Sequence, residues 1–141
     1  MAPCRRVDVT KPMASPNRNG TVRVLIADDS RDAMLLLGIL LRSEGYQVRL
    51  AQSGQDSLAQ AEEFRPHVAL LDIEMPDCNG FQVARELHRR YDGECPVLIA
   101  VTACTEEEDR KMAQASGFHH FVPKPYDHQG LLKLLESLRQ R

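Results

Sequence analysis

The sequence lacks any apolar run long enough to cross a membrane. A run such as Met34–Leu41 falls far short of the ~20 consecutive apolar residues that a transmembrane helix needs. The N-terminus also lacks the apolar stretch of a secretory signal peptide, because Arg5 and Arg6 are followed by the mixed segment Val7–Pro12. We therefore expect no membrane partner and a cytoplasmic location.

Cysteine motifs for metal binding or redox chemistry are missing as well. The four cysteines are Cys4, Cys78, Cys95 and Cys104, and no two of them form a C-x-x-C pair. This spacing argues against a zinc site or a redox disulfide. Nothing in the sequence indicates an oxidising compartment, so we expect reduced thiols.

The main part of the chain has no excess of basic side chains. The formal net charge is −2; residues 1–20 carry +3 and residues 21–141 therefore carry −5. Phosphate binding needs clustered Lys and Arg, so an acidic body argues against nucleic acid as a partner. The segment 1–20 is rich in Pro and Asn, which is typical of a disordered leader, and here the leader is basic. Residues 21–141 then form the single folded domain.

The sequence does contain a regular alternation of two hydrophobic patterns. With 141 residues, 43% of them hydrophobic, the chain is long enough for one domain with its own core. Short runs rich in β-branched residues are typical of buried parallel strands. Between them lie longer stretches with apolar residues at helical spacing. The predicted strands are Val22–Ala27, Tyr46–Leu50, Val68–Leu71, Val97–Val101 and Phe118–Val122. The alternation predicts an α/β fold with an open parallel sheet covered on both faces.

Local signals mark several helix ends. Thr105–Glu108 has the pattern of a capping box, and Ser53–Asp56 has a weaker version. Gly45 and Gly117 fall where helices are expected to end.

Polar side chains follow the predicted strands. Asp28 and Asp29 follow the first strand and Asp72 the third, while Thr102 ends the fourth and Lys124 follows the fifth. Ligands of open α/β sheets bind beyond the carboxyl ends of the strands, so we expect these side chains to face one edge. Taken singly, the acids are explained as caps or turn residues and the lysine as a solvated side chain. Together, three carboxylates repel one another unless a cation neutralises them.

A magnesium ion fits this set of side chains. Mg²⁺ favours one or two carboxylates, several waters and a phosphoryl oxygen. With the metal on one side of Asp72 and with Lys124 and Thr102 on the other, a phosphoryl group on that carboxylate would be bound from both sides. This pattern indicates phosphoryl transfer to a carboxylate nucleophile, which becomes an acyl phosphate.

The motifs around these residues resemble the receiver domain of two-component response regulators. They are Val24–Ser30, Leu70–Pro76 followed by Asn79–Gly80, Val101–Ala103 and Val122–Pro125. The resemblance runs from about residue 22 to residue 138 and implies a flavodoxin-like, doubly wound (βα)5 fold with strand order 2-1-3-4-5. The stretch 117–121 is more similar to receivers of hybrid sensor kinases than to those of DNA-binding regulators.

The resemblance implies roles for the acidic residues. Asp72 would be the phosphoacceptor, taking a phosphoryl group from a histidine on a kinase or phosphotransfer protein. Asp29 and Asp72 would ligate Mg²⁺ by their side chains, Asp28 through water and Glu74 by its backbone carbonyl. Glu74 lies at a position that varies in the family; when ionised it can accept but not donate a hydrogen bond to an attacking water, so we expect slow self-dephosphorylation. A glutamate acting as general base would have the opposite effect.

The other residues of the family pattern would respond to the phosphoryl group. Lys124 would pair with it, Thr102 would move toward it, and Phe121 would follow inward as an aromatic switch. The surface of the fourth helix, fifth strand and fifth helix would then change its contacts with a downstream protein. No output domain is expected after Arg141, and we expect a monomer or a weak dimer.

Two alternatives use similar residues. Phosphatases of the haloacid dehalogenase type also combine an Asp nucleophile, magnesium, Thr and Lys, but their Asp-x-Asp pattern follows the first strand, whereas Asp72 follows the third. A receiver that binds partners without phosphorylation usually lacks part of the acidic set, which is present here. We therefore expect a phosphoacceptor signalling domain rather than an enzyme.

Overall fold

Strands and helices alternate without exception in the computed structural model, which describes residues 21–103 and 105–139. The strands are β1 Arg23–Ala27, β2 Gln47–Ala51, β3 Val68–Leu71, β4 Val97–Thr102 and β5 His120–Pro123. The helices are α1 Arg31–Ser43, α2 Gly54–Phe64, α3 Gly80–Arg90, α4 Glu107–Ser116 and α5 His128–Arg139. The predicted leader, residues 1–20, and Cys104 lie outside the described residues. Within the described ranges, every helix is too short or too polar to cross a membrane.

The five strands form one parallel sheet in the order β2-β1-β3-β4-β5. The predicted fold class and strand order are confirmed. Ala27, the last residue of β1, lies opposite Ala51 and Leu71, the last residues of β2 and β3. Thr102 ends β4 opposite Pro123. β1, β2 and β3 end in register, and β4 and β5 end together two residues further on, so the residues that follow the strands emerge at the same edge of the sheet.

The sheet separates two hydrophobic cores, and alternate residues of each strand face opposite sides. Val24 and Ile26 of β1 face the core that α1 and α5 cover. Leu25 and Ala27 face the core that α2, α3 and α4 cover. Both sets are almost fully buried. This double burial explains why β1, β3 and β4 are continuous apolar runs in the sequence.

β1, β2 and β5 begin later than predicted, and for β2 and β5 the reason is that a residue shortly before the strand still belongs to a helix end. Gly45 and Gly117 adopt φ of +96° and +104° and end α1 and α4 as expected. The residues that follow them, Tyr46 and Phe118, donate their N–H groups to carbonyl oxygens of the preceding helices at 3.1 and 3.0 Å. Tyr46 and Phe118 are also buried. In the sequence, the buried residue after each helix is indistinguishable from the first apolar residue of a strand. The predicted starts of β2 at Tyr46 and of β5 at Phe118 are therefore wrong.

The start of α4 is one residue later than predicted, whereas that of α2 is confirmed. Glu106 rather than Thr105 is the N-cap of α4, and the Asp109 carboxylate accepts from the Glu106 N–H at 3.1 Å. The run of acidic residues offers overlapping capping boxes, so the sequence does not select one of them. Ser53 is the N-cap of α2, and its hydroxyl accepts from the Asp56 N–H at 3.1 Å.

Candidate functional site

Three carboxylates meet at the carboxyl ends of β1 and β3. Asp28 and Asp29 follow β1 and Asp72 follows β3. One carboxylate oxygen from each residue lies within 4.8 Å of the others. Asp28 and Asp72 are each 7% exposed, whereas Asp29 is exposed. The structure thus brings together the acids that the sequence places after separate strands.

Backbone hydrogen bonds hold the two buried acids. The N–H groups of Asp28 and Asp72 extend the sheet by one residue, donating to neighbouring strand carbonyls at 3.2 and 2.9 Å. Asp28 Oδ1 accepts from the Ser30 N–H at 2.9 Å, and Asp72 Oδ1 accepts from the Glu74 N–H at 3.2 Å. One oxygen of each carboxylate is therefore oriented by the backbone of its own loop. The other oxygen of each, Oδ2, points toward Lys124.

Lys124 bridges the two buried carboxylates. Its Nζ donates to Asp28 Oδ2 at 2.9 Å and to Asp72 Oδ2 at 3.1 Å. Its backbone N–H donates to the Thr102 carbonyl oxygen at 2.8 Å, which fixes the start of the loop after β5. The Lys124–Pro125 peptide bond is cis. The predicted convergence of Lys124 with the acids is therefore present in the geometry.

The charges in this cluster are not balanced. Burial, followed by the neighbouring Asp28 carboxylate, raises the pKa of Asp72 above its ordinary value, although Lys124 opposes the shift. Burial disfavours the charged form of Lys124, but its hydrogen bond to Asp28 and the charges of Asp72 and Asp28 outweigh burial and raise its pKa. Three carboxylates thus share one ammonium group, and the site has excess negative charge.

The donor set fits a divalent, oxygen-binding cation. Asp28, Asp29 and Asp72 offer only hard carboxylate oxygens, and the raised pKa of Asp72 reports repulsion that a cation would relieve. Mg²⁺ binds through one or two carboxylates and keeps several waters. The exposure of Asp29 leaves one side of the cluster open to solvent. Mg²⁺ is therefore compatible with the residues present.

The two switch candidates lie along β4 and β5. Thr102 ends β4 and is fully buried. Phe121 lies on β5 opposite Ala100, two residues before the end of β4, and is partly buried. The Arg110 guanidinium of α4 lies 4.6 Å from the centroid of the Phe121 ring. Phe121 is therefore outside the carboxylate cluster and in contact with α4, and a cation–π interaction holds its ring there.

Sequence reasoning missed two residues that fix the loop after Asp72. Asn79 begins α3 as its N-cap and forms a capping box with Gln82, at 3.0 and 2.9 Å, rather than a simple turn with Gly80. The pattern Asn-x-x-Gln was a usable signal for this helix start. Asp77 accepts hydrogen bonds from the first turn of α2. No local pattern indicates that contact, because its partners lie more than 20 residues earlier in the sequence.

Comparison with known proteins agrees with this fold. The fold is a parallel (βα)5 sheet with an acidic cluster and a lysine at its carboxyl edge. The family profile of the response regulator receiver domain matches residues 24–136. The chain belongs to that family, whose members are receiver domains of two-component signalling.

Relatives of similar length support the assignment. Protein PilH of Pseudomonas aeruginosa is 36% identical over 116 residues, which are 82% of this chain and 96% of that protein. The chemotaxis protein CheY4 of Vibrio cholerae is 27% identical with a TM-score of 0.78, covering 84% of this chain and 98% of that one. A CheY-like receiver domain protein from Methanospirillum hungatei is 29% identical with a TM-score of 0.78, covering 85% and 95%.

Proposed function

We propose that this receiver domain accepts a phosphoryl group on Asp72 from a phosphohistidine, with the help of Mg²⁺, and thereby changes its contacts with other proteins. The observation that carries the proposal is the Lys124 ammonium, which bridges Asp28 and Asp72 beside the exposed Asp29. This bridge supports a site in which the carboxylate nucleophile, Asp72, lies next to one fixed cation, the Lys124 ammonium, and near space for a second cation, Mg²⁺. Phosphoryl transfer depends mainly on such positioning and charge neutralisation.

In the proposed reaction, a carboxylate oxygen of Asp72 attacks phosphorus. The P–N bond of the donor breaks with its electron pair going to the imidazole nitrogen, and an acyl phosphate forms on Asp72. The Lys124 ammonium leaves its bond to Asp72 Oδ2 and pairs with a phosphoryl oxygen. Mg²⁺ would be held by Asp29, Asp72 and the Glu74 carbonyl, with Asp28 acting through water, and would neutralise phosphoryl charge.

The response to phosphorylation involves β4, β5 and their neighbours. The Thr102 hydroxyl moves toward the new phosphoryl group, and the Phe121 ring moves inward from its contact with Arg110. The surface of α4, β5 and α5 then presents a changed face to a downstream protein. The two-state element is the Thr102–Phe121 pair, which the local charge on Asp72 biases.

The phosphodonor is a histidine kinase or a histidine phosphotransfer protein. Leu35, Leu36 and Ile39 are 43%, 51% and 62% exposed on α1, the helix that follows the acidic pair. Exposed apolar residues on the helix that follows the acidic pair support docking of a protein rather than a small substrate. We further propose a cytoplasmic monomer or weak dimer that binds neither membrane nor nucleic acid.

Intact-mass spectrometry after incubation with acetyl phosphate tests the proposal. We expect the wild-type chain to gain one phosphoryl group when Mg²⁺ is present and none when the metal is chelated. Asp72→Asn is expected to gain none under either condition. Asp92→Asn, which changes an exposed acid outside the cluster, is the matched control and should label like wild type. Equal labelling of wild type and Asp72→Asn would contradict the assignment of Asp72.

A further inference from the structure

The loop between β3 and α3, residues 72–79, is tied at its tip to a different helix. Asp77 Oδ1 accepts from the Gly54 N–H at 2.7 Å, and Asp77 Oδ2 accepts from the Gln55 N–H at 2.8 Å. Gly54 and Gln55 are the first two residues of α2, whose N–H groups have no partner within the helix. The positive end of the helix dipole also favours a carboxylate there. One side chain thus joins the loop to α2.

The close approach of the loop requires glycine at position 54. A Cβ on Gly54 would overlap the Cys78 sulfur, and it would lie 2.7 Å from the Cys78 carbonyl oxygen and 3.2 Å from Asp77 Oδ1. The loop therefore occupies the space that a side chain would need. Asp77 accepts the hydrogen bonds, and the absence of a side chain at Gly54 leaves the space that the loop occupies. We call this pair the loop clasp.

Two further hydrogen bonds hold the same loop close to Asp72. The Glu74 N–H donates to Asp72 Oδ1 at 3.2 Å, and the Gly80 N–H donates to the Ile73 carbonyl oxygen at 2.8 Å. Along the chain, the Glu74 carbonyl follows the hydrogen bond of Glu74 to Asp72 and precedes Asp77 of the loop clasp. With both sides fixed, this carbonyl has little freedom, so little entropy is lost when it binds a cation.

We propose that the loop clasp positions the Glu74 carbonyl for Mg²⁺, which makes Asp77 a positioning residue for the metal-dependent reaction. This inference rests on the proposed function. Asp77 is exposed and is three residues beyond Glu74, so it acts through the loop and not as a ligand. Residues that orient metal ligands often change metal affinity by about tenfold or more when removed.

The experiment measures Mg²⁺ affinity by titrating the full chain with MgCl₂ and following backbone amide NMR shifts. We expect Asp77→Ala to weaken Mg²⁺ binding by about tenfold and to speed hydrogen exchange at the Gly54 and Gln55 amides. Asp77→Asn keeps one acceptor oxygen for the three N–H groups that bond to the carboxylate, those of Gly54, Gln55 and Cys78, and should give an intermediate loss. Gly54→Ala keeps the carboxylate but displaces the loop, so it should weaken Mg²⁺ binding as well.

Asp56→Ala is the matched control for loss of an acid near the start of α2. Asp56 Oδ2 accepts from the Gln52 N–H at 3.3 Å, within its own segment, so its removal should lower the thermal unfolding temperature but leave Mg²⁺ affinity within about twofold. Equal Mg²⁺ affinity in Asp77→Ala and Asp56→Ala would overturn the inference alone. A wild-type chain that binds no Mg²⁺ would instead overturn the proposed function, and this inference with it.

Discussion

At the scale of single residues, Lys124 supplies the positive charge that both buried carboxylates of the site share. Its ammonium bonds to both buried carboxylates, yet burial and the neighbouring Asp28 still leave the pKa of Asp72 raised. A carboxyl group with a raised pKa in the folded state stabilises the fold fully below its unfolded pKa, and this contribution is lost as the pH rises through the folded pKa. At neutral pH without a metal, ionised Asp72 therefore destabilises the fold.

We accordingly predict that Asp72→Asn is more stable than wild type in the absence of divalent cations. At pH 7 with a chelator, its free energy of unfolding should rise by roughly 1 kcal/mol, within the usual range for one substitution. With saturating MgCl₂ the difference should shrink or reverse, because the cation stabilises only a site that binds it. Denaturant unfolding in both buffers is the measurement. A less stable Asp72→Asn in chelator would contradict the electrostatic interpretation.

Glu74 bears on the lifetime of the phosphorylated state. It is exposed and two residues past Asp72, where its charge disfavours an electron-rich water near the phosphoryl group. We predict that Glu74→Asn loses its phosphoryl group faster than wild type, by about tenfold or less, since an amide can both donate to and accept from the water. The decay of the phosphorylated form, followed by mass spectrometry in Mg²⁺ buffer, measures this. If phosphorylated Glu74→Asn decays no faster than phosphorylated wild type, Glu74 does not slow dephosphorylation.

Among the helices, the end of α4 combines a steric requirement with a left-handed backbone conformation. Gly117 combines φ of +104° with a position where a Cβ would overlap the His88 ring, and His88 Nε2 donates to the Gly117 carbonyl oxygen at 2.9 Å. A left-handed residue that also contacts a side chain cannot gain a methyl group without strain. This glycine therefore fixes the connection from α4 to β5, the strand that leads to Lys124.

A pair of glycine substitutions tests this requirement. Gly117→Ala should lower the free energy of unfolding by about 2 kcal/mol or more, because both backbone strain and overlap result. Gly130→Ala is the control, since a Cβ there would meet only Asp127 atoms at 3.9 Å and φ is helical. It should raise stability by roughly 0.5–1 kcal/mol. Urea unfolding of both variants should therefore give shifts of opposite sign, and shifts of the same sign would refute the steric account.

The junction of α3, α4 and β5 also carries a pH-dependent group. His119 Nδ1 accepts from the Leu98 N–H at 2.9 Å, and burial together with the nearby His88 and His120 lowers the pKa of His119 below 6.5. The neutral His119 ring therefore makes its full contribution to stability above pH 6.5. This contribution is lost as the pH falls through the lowered pKa of His119 in the folded state. The charge is partly solvated, so the effect is small.

We predict that His119→Asn flattens this pH dependence. An asparagine oxygen at the position of Nδ1 keeps an acceptor for the Leu98 N–H but does not titrate. Thermal unfolding of wild type between pH 7 and pH 5 should show a decline that is shallower in the variant. Parallel pH profiles for the two proteins would remove His119 from the explanation.

For the molecule as a whole, the sequence was sufficient for the architecture and for the gathering of the site. Alternating apolar runs predict a parallel sheet, and in such a sheet the ends of β1, β3, β4 and β5 must share one edge. This is why Asp28, Asp72 and Lys124 could be grouped before any distance was measured. The start of β5 and the role of Asp77 could not be predicted. The start of β5 depends on the hydrogen bond from the Phe118 N–H to the end of α4, and the role of Asp77 depends on its hydrogen bonds to α2; none of these leaves a periodic signal in the sequence.

The separation of 96 positions between Asp28 and Lys124 has a consequence for synthesis of the protein. A growing chain carries both buried acids long before the ribosome adds the lysine that they share. Before β5 joins the edge of the sheet, pairing of β1 with β3 places the carboxylates of Asp28 and Asp72 side by side. The Lys124 ammonium is not yet there to balance their charge. A product terminated before residue 124 therefore retains the acids without their partner, and it is expected to be exposed to proteases that the finished domain resists.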